Sequence, residues 1–217
     1  MASAIKNILF IYLFIILAGM TYGCHSTPEQ SKKQESEEIY VSTPKKHRNL
    51  VAKSDSSVFA IIEIPSGSNE MLNFSTKSGK IEEPDDKKDR VLNFLPFPGN
   101  FGFVPKTKRE DKPIDIIVLS KTIETGELVN TYPIGAIKLK TGNEERFILV
   151  AVPVDEEKQT IKALNFQDFF TTYDPAKFIL EQWFLNYQGY QNNKIQSWVD
   201  EKTAFMEVEK FELKEEN

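Results

Sequence analysis

A series of short, β-branched apolar runs in the middle of the chain most constrains its fold. Turn residues separate these runs, such as Pro65-Ser66-Gly67-Ser68 after the first and Thr141-Gly142-Asn143-Glu144 before the last. Many short strands at near-regular spacing predict a small β-barrel or β-sandwich. The predicted strands are residues 58–64, 71–76, 114–119, 131–140 and 146–152.

Helical patterns follow Pro153. Asp174 is expected as the N-cap and Pro175 in the first turn of a helix that stops near Gly189. Its apolar face is predicted from residues at helical spacing: Ala176, Ile179, Leu180, Trp183, Phe184 and Tyr187. A last helix is predicted over residues 201–214, with Ala204, Val208 and Phe211 facing inward. The coarse prediction is a β-barrel flanked by C-terminal helices.

The N-terminus has the pattern of an export signal. Lys6 precedes an apolar run at residues 8–20, and Gly23-Cys24 follows it. The run is 13 residues long, shorter than the roughly 20 residues that span a bilayer. Residues 1–23 are therefore predicted to be a secretory signal peptide.

The position of Cys24 directly after this signal resembles a bacterial lipoprotein, in which that cysteine carries the lipid. An ordinary signal peptide, or an uncleaved anchor with an incidental cysteine, is the alternative. Residues 24–56 are rich in Ser, Lys, Glu and Gln and are predicted to be a lipidated, flexible tether. Residues 57–217 then form the folded domain, held by a lipid on a membrane at the periplasmic or cell-surface face.

Composition excludes several function classes. The net charge of −5 argues against a nucleic-acid binder, which would present a basic stripe. The only two histidines, His25 and His47, lie in the polar N-terminal third, so a histidine-based triad or zinc site in the folded domain is excluded. With Cys24 as the single cysteine, no internal disulfide forms.

Four segments of the domain follow, in order and at matching spacing, the motifs of a known family. Residues 62–68, IEIPSGS, are similar to its E-I-P-x-G-S. Asp89-Arg90 and residues 97–105, FPGNFGFVP, are similar to D-R and Y-P-x-N-Y-G-F-I-P. Residues 111–118, DKPIDIIV, are close to D-G-D-P-L-D-V-L-V, and the last segment combines PIGAIK at 133–138, AVP at 151–153 and WFLNY at 183–187. The domain thus resembles the soluble (family I) inorganic pyrophosphatases.

This resemblance implies an α+β, mainly β, fold: a five-stranded OB-like β-barrel flanked by C-terminal helices. It also implies the family reaction, the Mg²⁺-dependent hydrolysis of diphosphate to two phosphates. In that chemistry, carboxylates hold Mg²⁺ ions that neutralise the substrate and activate a water, while Lys, Arg and Tyr bind phosphoryl oxygens. The expected ligand is diphosphate or a phosphate anion, and the resemblance is compatible with a homo-oligomer.

Carried over residue by residue, the resemblance implies part of a site. The matching residues are Glu63, Asp115 and Tyr187 as catalytic residues, Arg90 and Tyr187 as substrate-binding residues, and Asp111 and Asp115 as metal ligands. The loop before Asp115 is one residue shorter than usual, so Glu110 is an alternative to Asp111.

Most other site positions are substituted. The middle signature aspartate falls at Lys112, and the positions of two metal-binding aspartates and a lysine read Thr141, Arg146 and Ile148. The remaining substitutions are Met71 and Asn73 for a lysine and a glutamate, Gln188 for a lysine, and Phe97 and Phe101 for two tyrosines.

These losses predict weak or absent Mg²⁺ binding. Each missing carboxylate removes an oxygen ligand from an ion that takes about six. At about 4 Å and an effective dielectric of about 20, one cationic side chain repels a metal by roughly 4 kcal/mol per unit of ion charge. One ion on Asp111 and Asp115, or a phosphate bound by Arg90, Lys112 and Arg146, stays an open alternative.

Two functions follow. The favoured one is a pseudoenzyme, a lipid-tethered binding domain that kept the barrel and lost the chemistry. The other is an extracytoplasmic phosphohydrolase in which Glu144 or Glu145 rebuilds the metal site. Purely structural roles are also open: a Glu63–Arg90 salt bridge, Asp115 capping a strand start, and Tyr187 as a core residue.

Overall fold

The apolar runs form strands, and helices follow them along the chain. The computed structural model describes residues 52–53, 56–75, 78–84, 94–187 and 193–213. The strands in these residues are β1 (Val58–Ile64), β2 (Asn73–Ser75), β3 (Lys80–Glu82), β4 (Asn100–Arg109), β5 (Lys112–Val118), β6 (Leu128–Thr141), β7 (Glu144–Pro153) and β8 (Asn193–Val199). The helices are α1 (Phe166–Thr172), α2 (Asp174–Asn186) and α3 (Glu201–Phe211), with a 3₁₀ turn at Glu156–Lys158.

Five of the strands form a closed sheet. Their order is β1-β4-β5-β7-β6, and β6 also pairs with β1, which closes the ring. The β5–β7 pair is parallel and the other pairs are antiparallel. Strand β8 adds to the C-terminal half of β6, and β2 and β3 form a separate hairpin. The predicted five-stranded OB-like barrel with C-terminal helices is therefore confirmed.

Two glycines allow close approaches in this sheet. A Cβ atom on Gly102 would lie 1.9 Å from the carbonyl oxygen of Ile61, so only glycine lets β4 approach the irregular end of β1. Gly135 has φ of 148°, a conformation that favours glycine, and it lies at a register shift between β6 and β7. A Cβ there would meet the ring of Phe166 at 2.8 Å, so Gly135 also makes room for α1.

The sheet buries separate apolar clusters with its alternating side chains. One cluster joins barrel residues such as Ile117 and Ile148 to α1 and α2. A second joins residues such as Ile116 and Leu149 to Ala204 and Val208 of α3. Neighbouring residues on one strand thus enter different clusters, as the period of two in a strand requires.

Asn100, at the start of β4, joins the loop after β1 to the loop after β5 and is fully buried. Its Oδ1 accepts hydrogen bonds from the backbone N–H groups of Ser66 and Ile123, at 2.9 and 2.8 Å. Its Nδ2 donates to Ser120 Oγ at 2.8 Å and to the carbonyl oxygen of Lys121 at 3.0 Å. Because both ends of the amide are used, asparagine is the residue type that fits here.

The structure corrects several helix details. Tyr173, not Asp174, is the N-cap of α2, because α1 ends directly before it. Ile179, predicted to face inward, is 57% exposed. Helix α2 ends at Asn186, and the predicted stop at Gly189 lies outside the described residues. Helix α3 ends at Phe211 with Ala204 and Val208 buried as predicted and Phe211 partly buried.

None of the helices within the described residues is both long and apolar enough to cross a membrane. The predicted signal peptide, the lipidated Cys24 and most of the predicted tether lie outside the described part of the chain. Those predictions therefore rest on the sequence.

Candidate functional site

Strands β5 and β7 bring Asp115 and Arg146 together. Asp115 lies in the middle of β5, opposite Ile148 of the parallel strand β7, so the prediction that it caps a strand start is wrong. Arg146 lies two residues before Ile148, and its side chain extends on the same face. Its Nε and Nη2 atoms both donate to Asp115 Oδ2, at 3.0 and 2.7 Å. The two side chains are 25% and 27% exposed, so this ion pair is partly shielded from water.

Tyr187 completes the arrangement from the helix side. Its hydroxyl oxygen accepts a hydrogen bond of 2.7 Å from Arg146 Nη1. The residue is buried, and its ring stacks on Trp183 with the centroids 5.8 Å apart and packs edge-on against Phe97. Tyr187 thus belongs both to the core under α2 and to the polar cluster, because its ring and its hydroxyl have different neighbours.

Glu63 lies on β1 and is only 6% exposed. Its Oε1 accepts a hydrogen bond from the backbone N–H of Phe74, which links β1 to the β2–β3 hairpin. The pKa of Glu63 is raised to about 8, and burial is the largest cause. The charge of Asp115 also raises this pKa, whereas the hydrogen bond from Phe74 and the charge of Arg146 lower it. Glu63 is therefore protonated at neutral pH, unlike an ordinary glutamate.

Arg146 stays charged in this environment. Burial disfavours its cationic form, but the nearby Asp115 and Tyr187 outweigh burial and raise the pKa of Arg146 above its ordinary value. We call Glu63, Asp115, Arg146 and Tyr187 the barrel-mouth cluster. It contains one permanent cation, one paired carboxylate and one buried carboxyl group.

Asp111 does not join the barrel-mouth cluster. Asp111 is on the exposed turn between β4 and β5, where its carboxylate pairs with Lys108 at 3.3 Å. About 10 Å of extended strand separates Lys112 from Asp115, so the turn does not bring Asp111 beside Asp115. Arg90 lies outside the described residues, and with it the predicted phosphate contact and the Glu63–Arg90 salt bridge.

Neither candidate for rebuilding a metal site joins the cluster. Glu144 is exposed beside the turn of the β6–β7 hairpin. The Oε1 of Glu145 accepts a hydrogen bond from Gln196 of β8 at 3.1 Å, at the exposed surface. The sequence alone allowed either carboxylate to enter the site, since both lie within two residues of Arg146.

The chain matches a model of the family described as "Inorganic pyrophosphatase" over residues 60–214. The chain belongs to the inorganic pyrophosphatase family. The "Inorganic pyrophosphatase" of Nanoarchaeum equitans is 31% identical over 147 residues, which is 59% of this chain and 87% of that protein. The protein of the same description from Campylobacter jejuni is 32% identical over 171 residues, covering 70% of this chain and 87% of that one.

Solved pyrophosphatases share the fold. The crystal structure of an inorganic pyrophosphatase from Neisseria gonorrhoeae superimposes with a TM-score of 0.65 and 21% identity, covering 76% of this chain and 95% of that chain. An inorganic pyrophosphatase from Coxiella burnetii gives a TM-score of 0.62 and 24% identity over 75% of this chain and 97% of that chain. At these identities, the likeness describes the shared fold.

The inorganic pyrophosphatase family is in general Mg²⁺-dependent, but the described residues of this member do not fit a magnesium site. Among them, no three Asp, Glu, His or Cys side chains come together as metal ligands. Asp115 is bonded to a guanidinium, Asp111 lies on the exposed turn, and Glu63 is buried with a raised pKa. Mg²⁺ prefers ionised oxygen ligands in near-octahedral geometry, and this cluster offers a cation in their place.

The sequence predicts most of the barrel-mouth cluster, and the structure adds a role for one member. Arg146 is predicted from the sequence to repel metal, and in the structure it is also the bonded partner of Asp115. The signal was available, since an arginine and an aspartate on strands that pair in the family fold are a candidate ion pair. Asn100 lies in the FPGNFGFVP motif, which by itself indicates no role for it, and its buried amide connects the loops after β1 and β5.

Proposed function

We propose that this protein is a lipid-anchored member of the inorganic pyrophosphatase family in which diphosphate hydrolysis is weak or lost. The observation that carries the proposal is the doubly hydrogen-bonded Arg146–Asp115 pair. A metal bound at Asp115 would have to displace this guanidinium or sit beside it. At about 4 Å and an effective dielectric of about 20, a divalent ion beside one fixed positive charge meets roughly 8 kcal/mol of repulsion.

Loss of oxygen ligands supports the same proposal. Three positions that are acidic in the motifs of the inorganic pyrophosphatase family are Lys112, Thr141 and Arg146 in this chain. Lys112 is exposed at the start of β5, and the hydroxyl oxygen of Thr141 is buried. A hydroxyl and two cations do not replace carboxylates as ligands for a hard divalent cation.

The direct test is phosphate release from diphosphate by the purified protein in millimolar Mg²⁺, with the Asp115→Ala variant as control. We expect parent and control to release phosphate at the same background rate. A turnover of about 1 s⁻¹ or more, modest for an enzyme, that disappears in Asp115→Ala would contradict the proposal. That outcome would favour an active extracytoplasmic diphosphatase.

Lipid anchoring is proposed from the sequence alone. Cys24 follows an apolar run of 13 residues and a glycine, and polar residues follow it. Each buried CH₂ of an acyl chain contributes about 0.8 kcal/mol to membrane binding. We expect radiolabelled palmitate to be incorporated into the parent and not into Cys24→Ala, and the variant to leave the membrane fraction. Equal labelling of both proteins would contradict lipidation at this cysteine.

A further inference from the structure

The guanidinium of Arg146 is held in place from two sides. On the strand side, Nε and Nη2 share the Oδ2 atom of Asp115. On the helix side, Nη1 donates to the hydroxyl of Tyr187, whose ring is fixed by Trp183 and Phe97. The position of the guanidinium is therefore fixed by contacts with both the sheet and helix α2.

The acidic groups of the barrel-mouth cluster all interact with this one cation. Glu63 interacts electrostatically with Asp115 and with Arg146, and Arg146 interacts with Asp115 and with Tyr187. Without Arg146, Asp115 would lose the guanidinium that bonds to it and would keep its unfavourable interaction with the buried carboxyl group of Glu63. A partly buried carboxylate needs a counter-charge, and a protein can take that charge from a metal or from its own chain.

An arginine supplies this charge permanently. Its guanidinium is not deprotonated in proteins, and its attachment to the backbone prevents dissociation. A bound Mg²⁺, in contrast, leaves when the free concentration falls below its dissociation constant.

We infer that Arg146 is a built-in counter-cation that takes the place of a divalent metal at Asp115 and excludes metal from the barrel mouth. The domain then keeps its mouth neutral and ordered at any metal concentration. This inference rests on the proposed function, since it gives a cause for the lost metal chemistry. In this role Arg146 neutralises and positions Asp115 and takes no part in a reaction.

The test is Mn²⁺ binding in the absence of diphosphate, measured on the full chain by electron paramagnetic resonance of the free ion. The main variant is Arg146→Asp, which removes the cation and adds a carboxylate on the same face of the sheet as Asp115. We expect its dissociation constant for Mn²⁺ to be at least tenfold lower than that of the parent. Adding Asp115→Asn to this variant should abolish the gain, because the inferred ligand would be gone.

A matched control makes the same charge change elsewhere. Lys53 forms an ion pair with Glu209, at 3.1 Å, so Lys53→Asp also replaces the cation of an ion pair with a carboxylate. We expect no gain in Mn²⁺ affinity there, because the side chain of Glu209 is 48% exposed, against 27% for that of Asp115. A gain equal to that of Arg146→Asp would overturn the inference, since any new pair of carboxylates would then have the same effect.

A second variant covers the event that Arg146→Asp does not fold. Arg146→Gln removes the charge and keeps a donor near Asp115 and Tyr187. The melting temperature of Arg146→Gln should be higher in 10 mM Mn²⁺ than in metal-free buffer. The melting temperature of the parent should be the same in both. An equal shift in the parent, or none in either variant that folds, would overturn the inference.

These outcomes separate the inference from the proposed function. If the parent does not hydrolyse diphosphate and Arg146→Asp gains no metal, the inference alone fails. If the parent hydrolyses diphosphate while Arg146→Asp still gains Mn²⁺ affinity, the proposed function alone fails.

Discussion

The buried carboxyl group of Glu63 gives the stability of this protein a distinctive pH dependence. Its pKa is about 8 in the folded protein and 4.5 ordinarily, so between these values the folded state holds a proton that the unfolded chain releases. Stability is therefore complete below about pH 4.5 and declines as the pH rises toward 8. The slope is about 1.4 kcal/mol per pH unit, and from pH 5 to 7.5 it amounts to about 3 kcal/mol.

Glu63→Gln removes this proton equilibrium and keeps the shape of the side chain. The amide oxygen of glutamine can still accept the hydrogen bond from Phe74. At pH 5 the variant should be more stable than the parent by only about 1 kcal/mol, because the pH is then just above the pKa of Glu63 in the unfolded chain. At pH 7.5 it should be more stable than the parent by up to about 4 kcal/mol.

The assay is urea unfolding followed by tryptophan fluorescence at half-unit steps from pH 5 to pH 8. The difference in unfolding free energy between Glu63→Gln and the parent isolates this one group from the other titrating residues. Glu124→Gln, at an exposed position, serves as the matched control and should follow the parent at every pH. A difference curve for Glu63→Gln that stays flat, or that slopes the other way, would refute the reasoning.

Three further substitutions and one control substitution test the fold and the ion pair by chemical denaturation. Asn100→Ala should lower the free energy of unfolding by about 3 kcal/mol or more, because buried backbone N–H groups lose their acceptor; a loss under about 1 kcal/mol would contradict this. Gly102→Ala should prevent folding, since its Cβ would lie 1.9 Å from the Ile61 oxygen. Its control is Gly142→Ala, at a position with φ of 62° and open space around it, which should lower the free energy of unfolding by only about 1–2 kcal/mol. Arg146→Met should destabilise the protein by about 1–2 kcal/mol, reduced from the cost of a buried pair because both partners are about a quarter exposed; an unchanged midpoint would show that the pair contributes nothing.

Strong local patterns predicted much of the barrel. Strand β1 occupies the predicted residues 58–64, and β7 extends the predicted 146–152 by a few residues. These segments are rich in β-branched residues and end at clear turns, so local preference and tertiary burial agree. The OB-like closure itself came from the family resemblance, because no local pattern states which strands pair.

Elements with weak local signals were missed. Strand β8 reads NKIQSWV, and its residues are mostly polar. It becomes a strand because the C-terminal half of β6 offers a free edge for pairing. Helix α1 has only seven residues, and its one clear local signal is the N-cap Asn165, which accepts a hydrogen bond from the N–H of Asp168.

The amino-acid sequence by itself determined which residue types are present and in what order. It determined the strand-forming runs, the absence of histidine from the folded domain, the family motifs and the replacement of acidic residues by Lys112 and Arg146. Tertiary structure alone decided what Arg146 does. The partners Asp115 and Tyr187 are 31 and 41 positions away along the chain, and only the parallel pairing of β5 with β7 and the packing of α2 bring them into contact. An ion pair needs separations of a few ångströms, and a sequence records residue types without recording such distances.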